Sequence, residues 1–336
     1  MLWLSGSTAS SAQTVSDYLI YVSNEDSNDV SVIDPAMLEV IHTIAVGKRP
    51  RGVRVSPDGR FVFAALSGSP KCPPTMPDEQ CEAIAVDKTQ DGIAMVDAAT
   101  RELIRVLPGG SDPEQFDIHP DQTRLFVSNE DTNTASVIDI ASGRVLHTVP
   151  VGVEPEGVKV SPSGHVFLVT SESDHDVAVI DSMSGELISR IDVGLRPRDA
   201  VFSADGSHAF VSAELSRHVA IIDTATWQRV DQIVVSDTAL PMGLAVTEDA
   251  STLYVANGRE RTVSSIDLEQ ASVTGTVEVG TRPWGLALSP DESRLFTANG
   301  PSNDISVIDT ATMTVIATIA VGASPWGVAI GPRSAL

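Results

Sequence analysis

Short apolar runs, each four to seven residues long and cut by Gly, Pro, Asn and Asp, follow one another from Tyr18 to the C-terminus. In the stretch opened by Pro283, Gly285–Ser289 alternates around Leu286 and Leu288, and Pro290-Asp291-Glu292-Ser293 reads as a turn. Leu295–Asn299, Ile305–Asp309 and Val315–Val321 are three further runs, the last closed by Gly322. Runs of this length, rich in Val, Ile, Phe and Tyr, predict strands. A 3.6-residue periodicity is absent, so helices are not expected.

The pattern repeats seven times. Pro50, Pro113, Pro155, Pro197, Pro241, Pro283 and Pro325 each open a Pro-x-Gly-like step, at spacings of 63, 42, 42, 44, 42 and 42 residues. Asp34, Asp97, Asp139, Asp181, Asp223, Asp267 and Asp309 end one strand per repeat, which gives the same count. Four strands per 40–45 residues is the propeller period. The chain enters at Tyr18 on a second strand and leaves on a first strand, Pro325–Ile330. Pairing these leftovers closes a ring and removes two open sheet edges. The expected fold is therefore all-β: one seven-bladed propeller over residues 18–336, with four antiparallel strands per blade. The C-terminal strand completes the N-terminal blade.

Tyr21-Val22-Ser23-Asn24, Leu253-Tyr254-Val255-Ala256-Asn257, Ser31-Val32-Ile33-Asp34 and Val55-Ser56-Pro57-Asp58-Gly59 resemble the YVTN repeat family of bacterial seven-bladed propellers. The resemblance covers nearly the whole chain. It implies an exported protein, periplasmic or secreted. Some members are similar to proteins encoded beside quinoprotein (PQQ-dependent) alcohol-oxidation systems, which implies an accessory role in such oxidation. Fold and function separate freely, so the site must be argued from residues.

Propeller geometry places the middle residue of each Pro-x-Gly step at the channel mouth. Around the ring these are Trp326, Arg51, Glu114, Glu156, Arg198, Met242 and Trp284. Their flanking Pro and Gly repeat, yet they do not, which is the pattern of a ligand-binding set rather than a structural one. Two adjacent indoles can stack a ring or hold a cation, and Arg51 and Arg198 can clamp a carboxylate. The bland alternative is that the indoles plug the channel and the charges are solvated. Glu25, Glu130, Glu172 and Glu214, with Asp26, Asp131, Asp174 and Asp176 in the loops beyond, gather on the same face. They lack the Asp-x-Asp-x-Asp-Gly loop of a calcium site, so no metal is expected. Arg54, Asp117 and Lys159 fall at equivalent inner-strand positions of three consecutive blades and read as a structural ion network.

The 63-residue interval holds an insertion, residues 67–91, in the second-to-third loop of blade 2. Such a loop is a recognition element more often than a passive one. Cys72 and Cys81, the only cysteines, both lie in it, and a disulfide between them is expected, which implies an oxidising compartment. No haem or other cofactor motif is present. Residues 1–17 lack the basic start and long apolar stretch of a complete signal peptide, and are expected to be a disordered segment or signal remnant.

No catalytic signature is found, and the seven histidines are scattered over different blades. The leading expectation is binding, of a small molecule or a protein partner at the mouth, by a monomer. The alternative is a lyase, lactonase or hydrolase using Glu114 and Glu156 as a carboxyl pair. The net charge of −23 argues against nucleic acid as a partner. No apolar run is long enough to span a membrane as a helix.

Overall fold

The computed structural model describes residues 16–71, 76, 79–80 and 84–333. The segment before Ser16 and both cysteines, with the disulfide expected between them, lie outside the described residues. Seven four-stranded antiparallel sheets are arranged as blades around a central channel. Their inner strands are Pro325–Pro332, Val53–Val55, Pro113–Ile118, Pro155–Val160, Pro197–Phe202, Pro241–Val246 and Pro283–Leu288. Each packs against the next around a closed ring. The closing strand pairs with the first one from Tyr18↔Pro332 to Asn24↔Pro325, as the two leftover strands predict. Among the described residues no helix is long and apolar enough to cross a membrane.

The second and third strands of each blade are covered on both faces by neighbouring blades, so they read as continuous apolar runs. The core lies in the gaps between blades; Phe126 of blade 3 and Phe167 of blade 4 meet there at 4.4 Å. Outer strands alternate because one face is solvated.

The repeated polar residues are turn chemistry. Every strand-ending aspartate folds the following turn: Asp181 Oδ1 accepts from Ser184 N (2.7 Å) and Asp309 Oδ1 from Thr312 N (2.8 Å). Such amide bonds hold the Asp97 and Asp181 carboxyls below the ordinary range. These turns lie on the face opposite the mouth, so part of the acidity serves the fold. The asparagine ending a second strand locks the loop above it. Asn129 Nδ2 donates to Thr134 Oγ1 (3.1 Å) and Ser136 Oγ (2.8 Å), and Asn24, Asn257 and Asn299 repeat the arrangement.

Candidate binding site at the channel mouth

Two features of the Pro-x-Gly step aim its middle residue at the mouth. The first is a bulge. In blade 7, Pro283 pairs with Asn299 but the next pair is Leu286 with Thr297, so three steps on the inner strand match two on its neighbour. The same slip occurs at Pro113, Pro155, Pro197 and Pro241. A bulge re-aims the side chain it carries. Six of the inner strands therefore begin at the proline itself, two residues before the alternation in the sequence suggests, and that of blade 2 begins at Val53. The second feature is close approach of blades. A Cβ on Gly157 would lie 2.4 Å from the Arg198 carbonyl oxygen, and one on Gly243 2.2 Å from that of Trp284. The glycine lets each inner strand seat against the backbone of the next mouth residue.

The residues so placed form two halves. On one side the Trp284 and Trp326 rings meet at 5.3 Å with a 38° tilt. Arg282 holds its guanidinium 4.8 Å from the centre of the Trp284 ring, and Arg198 holds its own at 5.5 Å. Met242, 2% exposed, turns under the loop that carries Gly258 and forms floor rather than wall.

On the other side each mouth arginine is enclosed by carboxyl groups. Arg51 reaches Asp112 (2.5 Å), Glu114 (3.1 Å) and Glu130 (3.3 Å). Arg198 reaches Glu156 (2.6 Å), Glu214 (2.7 Å) and Glu172. Both guanidiniums are buried and held above the ordinary arginine value, by these carboxylates against the opposing effect of burial. Arg51 and Arg198 are thus neutralised by the protein's own acids and are not a free clamp for a ligand carboxylate.

Three carboxyls around one guanidinium leave an excess of negative charge, which protons relieve. The Glu114 charge, then burial, push Glu130 up to about 9. Burial, opposed by Arg198 but reinforced by Glu172 and Glu114, raises Glu156 well above the carboxylate range. Glu172, despite its burial, sits below that range through its hydrogen bond with Glu156 and the charges of Arg198 and Arg196. Glu114 and Glu156 are neighbours, but the carboxyls that hydrogen-bond to each other are Glu114 with Glu130 and Glu156 with Glu172.

The other expected acids have assigned work. Glu25 pairs with Arg49 (2.7 Å) and Lys71 (2.8 Å), Asp26 with Lys71, Asp176 with Arg190 (3.0 Å), and Asp131 with Lys88. Asp174 Oδ2 accepts from Val153 N at 3.0 Å. Among the described residues no three His, Cys, Asp or Glu side chains are placed to hold a metal. Lower in the channel Asp117 lies 3.2 Å from Lys159 and 3.6 Å from Arg54, and accepts from Val160 N across the blade gap at 3.0 Å. Asp199, which stands where five other blades have glycine, makes a similar bridge to Leu244 N at 3.0 Å.

The ends of the insertion are sewn together beside the mouth. Gly68 N donates to Asp91 Oδ1 (2.6 Å), Asp87 N to Gly68 O (3.2 Å), and Lys48 Nζ to Gly68 O (3.2 Å).

A second ring of mouth residues escapes the sequence reading: the residue before each Pro-x-Gly proline. Arg49, Asp112, Glu154, Arg196, Arg282 and Ser324 all have positive φ, between 47° and 59°. In six of the seven blades the turn imposes this left-handed conformation whatever the residue; Asp112 turns in onto Arg51, whereas Arg282 stays open to solvent. The available signal is that this position varies along the repeats as freely as the middle one.

A model of the YNCE-like beta-propeller family matches residues 90–206 and 197–334. None of the curated proteins matches the chain. Among solved structures the chain is similar to the hydrazine synthase of Kuenenia stuttgartiensis, at 22% identity over 87% of this chain and 92% of that one (TM-score 0.72). It is similar to a functionally unknown protein from Desulfotomaculum acetoxidans, at 17% identity over 94% and 99% (TM-score 0.78). A Bacteroides fragilis protein provisionally named a 6-phosphogluconolactonase is similar at 17% identity over 94% and 98% (TM-score 0.75). At these identities the likeness is one of fold. Seven blades and a family match over most of its length make this chain a member of the YNCE-like β-propeller family.

Proposed function

We propose that this is a binding protein whose small-molecule ligand enters the channel mouth. The observation that carries the reading is the contrast between frame and filling. Seven equivalent positions share one frame, with the bulge in six blades and the glycine approach in five, yet they hold a tilted indole pair on one side and carboxyl-caged arginines on the other. A plug would need only bulk, whereas walls of differing chemistry around one opening suit selective recognition. The test is a thermal-shift screen of metabolites against the wild type and the Trp284→Ala/Trp326→Ala variant. Ligand responses that vanish in the variant support the reading; identical responses in both proteins overturn it.

The family resemblance supports an exported setting, with binding accessory to a periplasmic, quinoprotein-linked oxidation. Titration of the unreduced, denatured protein tests that setting. No reactive thiol is expected, and two would remove the Cys72–Cys81 bridge on which the argument leans.

One observation favours a second reading, hydrolysis of a lactone or ester. Burial raises the proton affinity of Glu156 well above that of an ordinary carboxyl, and a buried carboxyl so raised is a candidate general acid. The provisional lactonase name of a structural neighbour is compatible with it. Loss of turnover in both Glu114→Gln and Glu156→Gln, in a lactone and ester screen, would select this reading over binding.

A further inference from the structure

Four guanidiniums of the mouth are matched with carboxylates. Arg49 has Glu25, Arg51 has Asp112, Glu114 and Glu130, and Arg196 and Arg198 share Glu172 and Glu214. Arg282 has no ion pair and no side-chain hydrogen bond among the described residues, although it stands at the rim of an acid-rich opening. Its guanidinium instead lies 4.8 Å from the Trp284 ring centre, on a residue lifted over the rim at φ 54°. The Arg198 and Arg259 guanidiniums stand near it, and so, without forming an ion pair, do the Glu214 and Glu25 carboxylates. Partial desolvation, then the Arg198 charge, lower its proton affinity; Glu214 and Glu25 oppose this, Arg259 adds to it, and the side chain is open to solvent. Arg259, exposed on the adjoining loop, also lacks an ion pair among the described residues.

A solvated guanidinium whose proton affinity is lowered and which has no ion pair gains when an anion joins it. A cationic ligand finds the reverse: the Trp284 ring already has two guanidiniums near it, and the opposite wall relieves its excess charge with protons. We propose that Arg282, assisted by Arg259, is the anion-recognising element of the mouth, and that the ligand is a planar organic carboxylate. Its carboxylate meets the Arg282 fork, and its ring lies against the Trp284 and Trp326 indoles. This inference rests on the mouth being the binding site.

The probes are 2-naphthoate, its neutral amide 2-naphthamide, and naphthylmethylammonium. Each is titrated by calorimetry and by quenching of tryptophan fluorescence. The wild type is expected to bind naphthoate about tenfold more tightly than the amide, and the ammonium most weakly. Arg282→Gln abolishes the preference for naphthoate but leaves amide binding unchanged, which also shows that the variant is folded. Arg282→Lys retains part of the preference, and Arg259→Gln lowers it a few-fold. Undiminished preference in Arg282→Gln, tighter binding of the ammonium, or no binding of naphthoate by the wild type overturns the proposal. If Trp284→Ala/Trp326→Ala still reduces binding of any probe in those cases, the mouth remains the site and only Arg282's role falls. If that variant binds every probe as the wild type does, the mouth reading falls as well.

Discussion

Arg198, in the fifth blade, holds its guanidinium 5.5 Å from the centre of the Trp284 ring in the seventh. The blade between them contributes Met242, which is buried under its own loop and leaves the path clear. This one side chain joins the two halves of the mouth, because its other contacts are Glu156, Glu172 and Glu214. A change at the carboxyl wall therefore reaches the aromatic wall through a single guanidinium.

The seat of Arg198 depends on Gly157, where a Cβ would come 2.4 Å from the Arg198 carbonyl oxygen, a backbone atom that cannot swing aside. Gly157→Ala is expected to destabilise the fold by about 1–3 kcal/mol. Gly300→Ala, whose Cβ meets nothing nearer than 3.5 Å, is the control and should change stability by less than about 0.5 kcal/mol. Urea unfolding of both variants gives the comparison.

Glu130 titrates near 9 in the folded protein, against an ordinary value of 4.5. The folded state therefore holds this proton more tightly than the unfolded chain. The associated stability is complete below about pH 4.5 and is lost as pH rises through about 9. Glu130→Gln removes the need for the proton, so its melting temperature should exceed that of the wild type increasingly from pH 6 to pH 9. Parallel curves for the two proteins would show that Glu130 is already ionised at neutral pH.

Asp117 takes two cations and a backbone amide of the next blade, and these contacts hold its carboxyl below the ordinary range against the effect of burial. Asp117→Ala leaves the Val160 amide without its acceptor and brings Lys159 and Arg54 together unpaired. A loss of about 2 kcal/mol is expected, below the value for a fully buried pair because Lys159 and Arg54 keep access to channel water. Asp117→Asn retains one acceptor and should lose less. Denaturant unfolding of the two variants separates the amide contribution from the charge.

Removing residues 325–336 takes away the strand that pairs with Tyr18–Asn24 and opens the ring at blade 1. A fall in melting temperature of more than about 10 °C is expected. An unchanged melting curve would mean that six complete blades are stable without closure.

The fold was legible because each blade spells out its own local rules. Apolar runs mark strands that neighbours cover, the strand-ending aspartates cap turns, and in four blades a second-strand asparagine ties the loop to oxygens five and seven residues on. These are short-range interactions, and the strands and turn aspartates recur seven times, so counting them along the chain counts the blades. The seven mouth positions were equally legible, since the bulge and the glycine that place them are part of the same repeat.

What those positions do to one another was not. Arg51 and Arg198 read as free clamps in the sequence, and the tertiary structure instead fills them with carboxylates from their own and neighbouring blades. Arg282, one residue before a repeat proline, reads as a turn residue until its left-handed backbone sets it over Trp284. The sequence by itself determined the blade, the ring and the address of the mouth, because backbone hydrogen bonding and burial act within a repeat. Only the tertiary structure decided which charges there are matched, which carry protons and which guanidinium is left over. Those are sums over side chains brought together from blades far apart in the chain, and no local pattern encodes them.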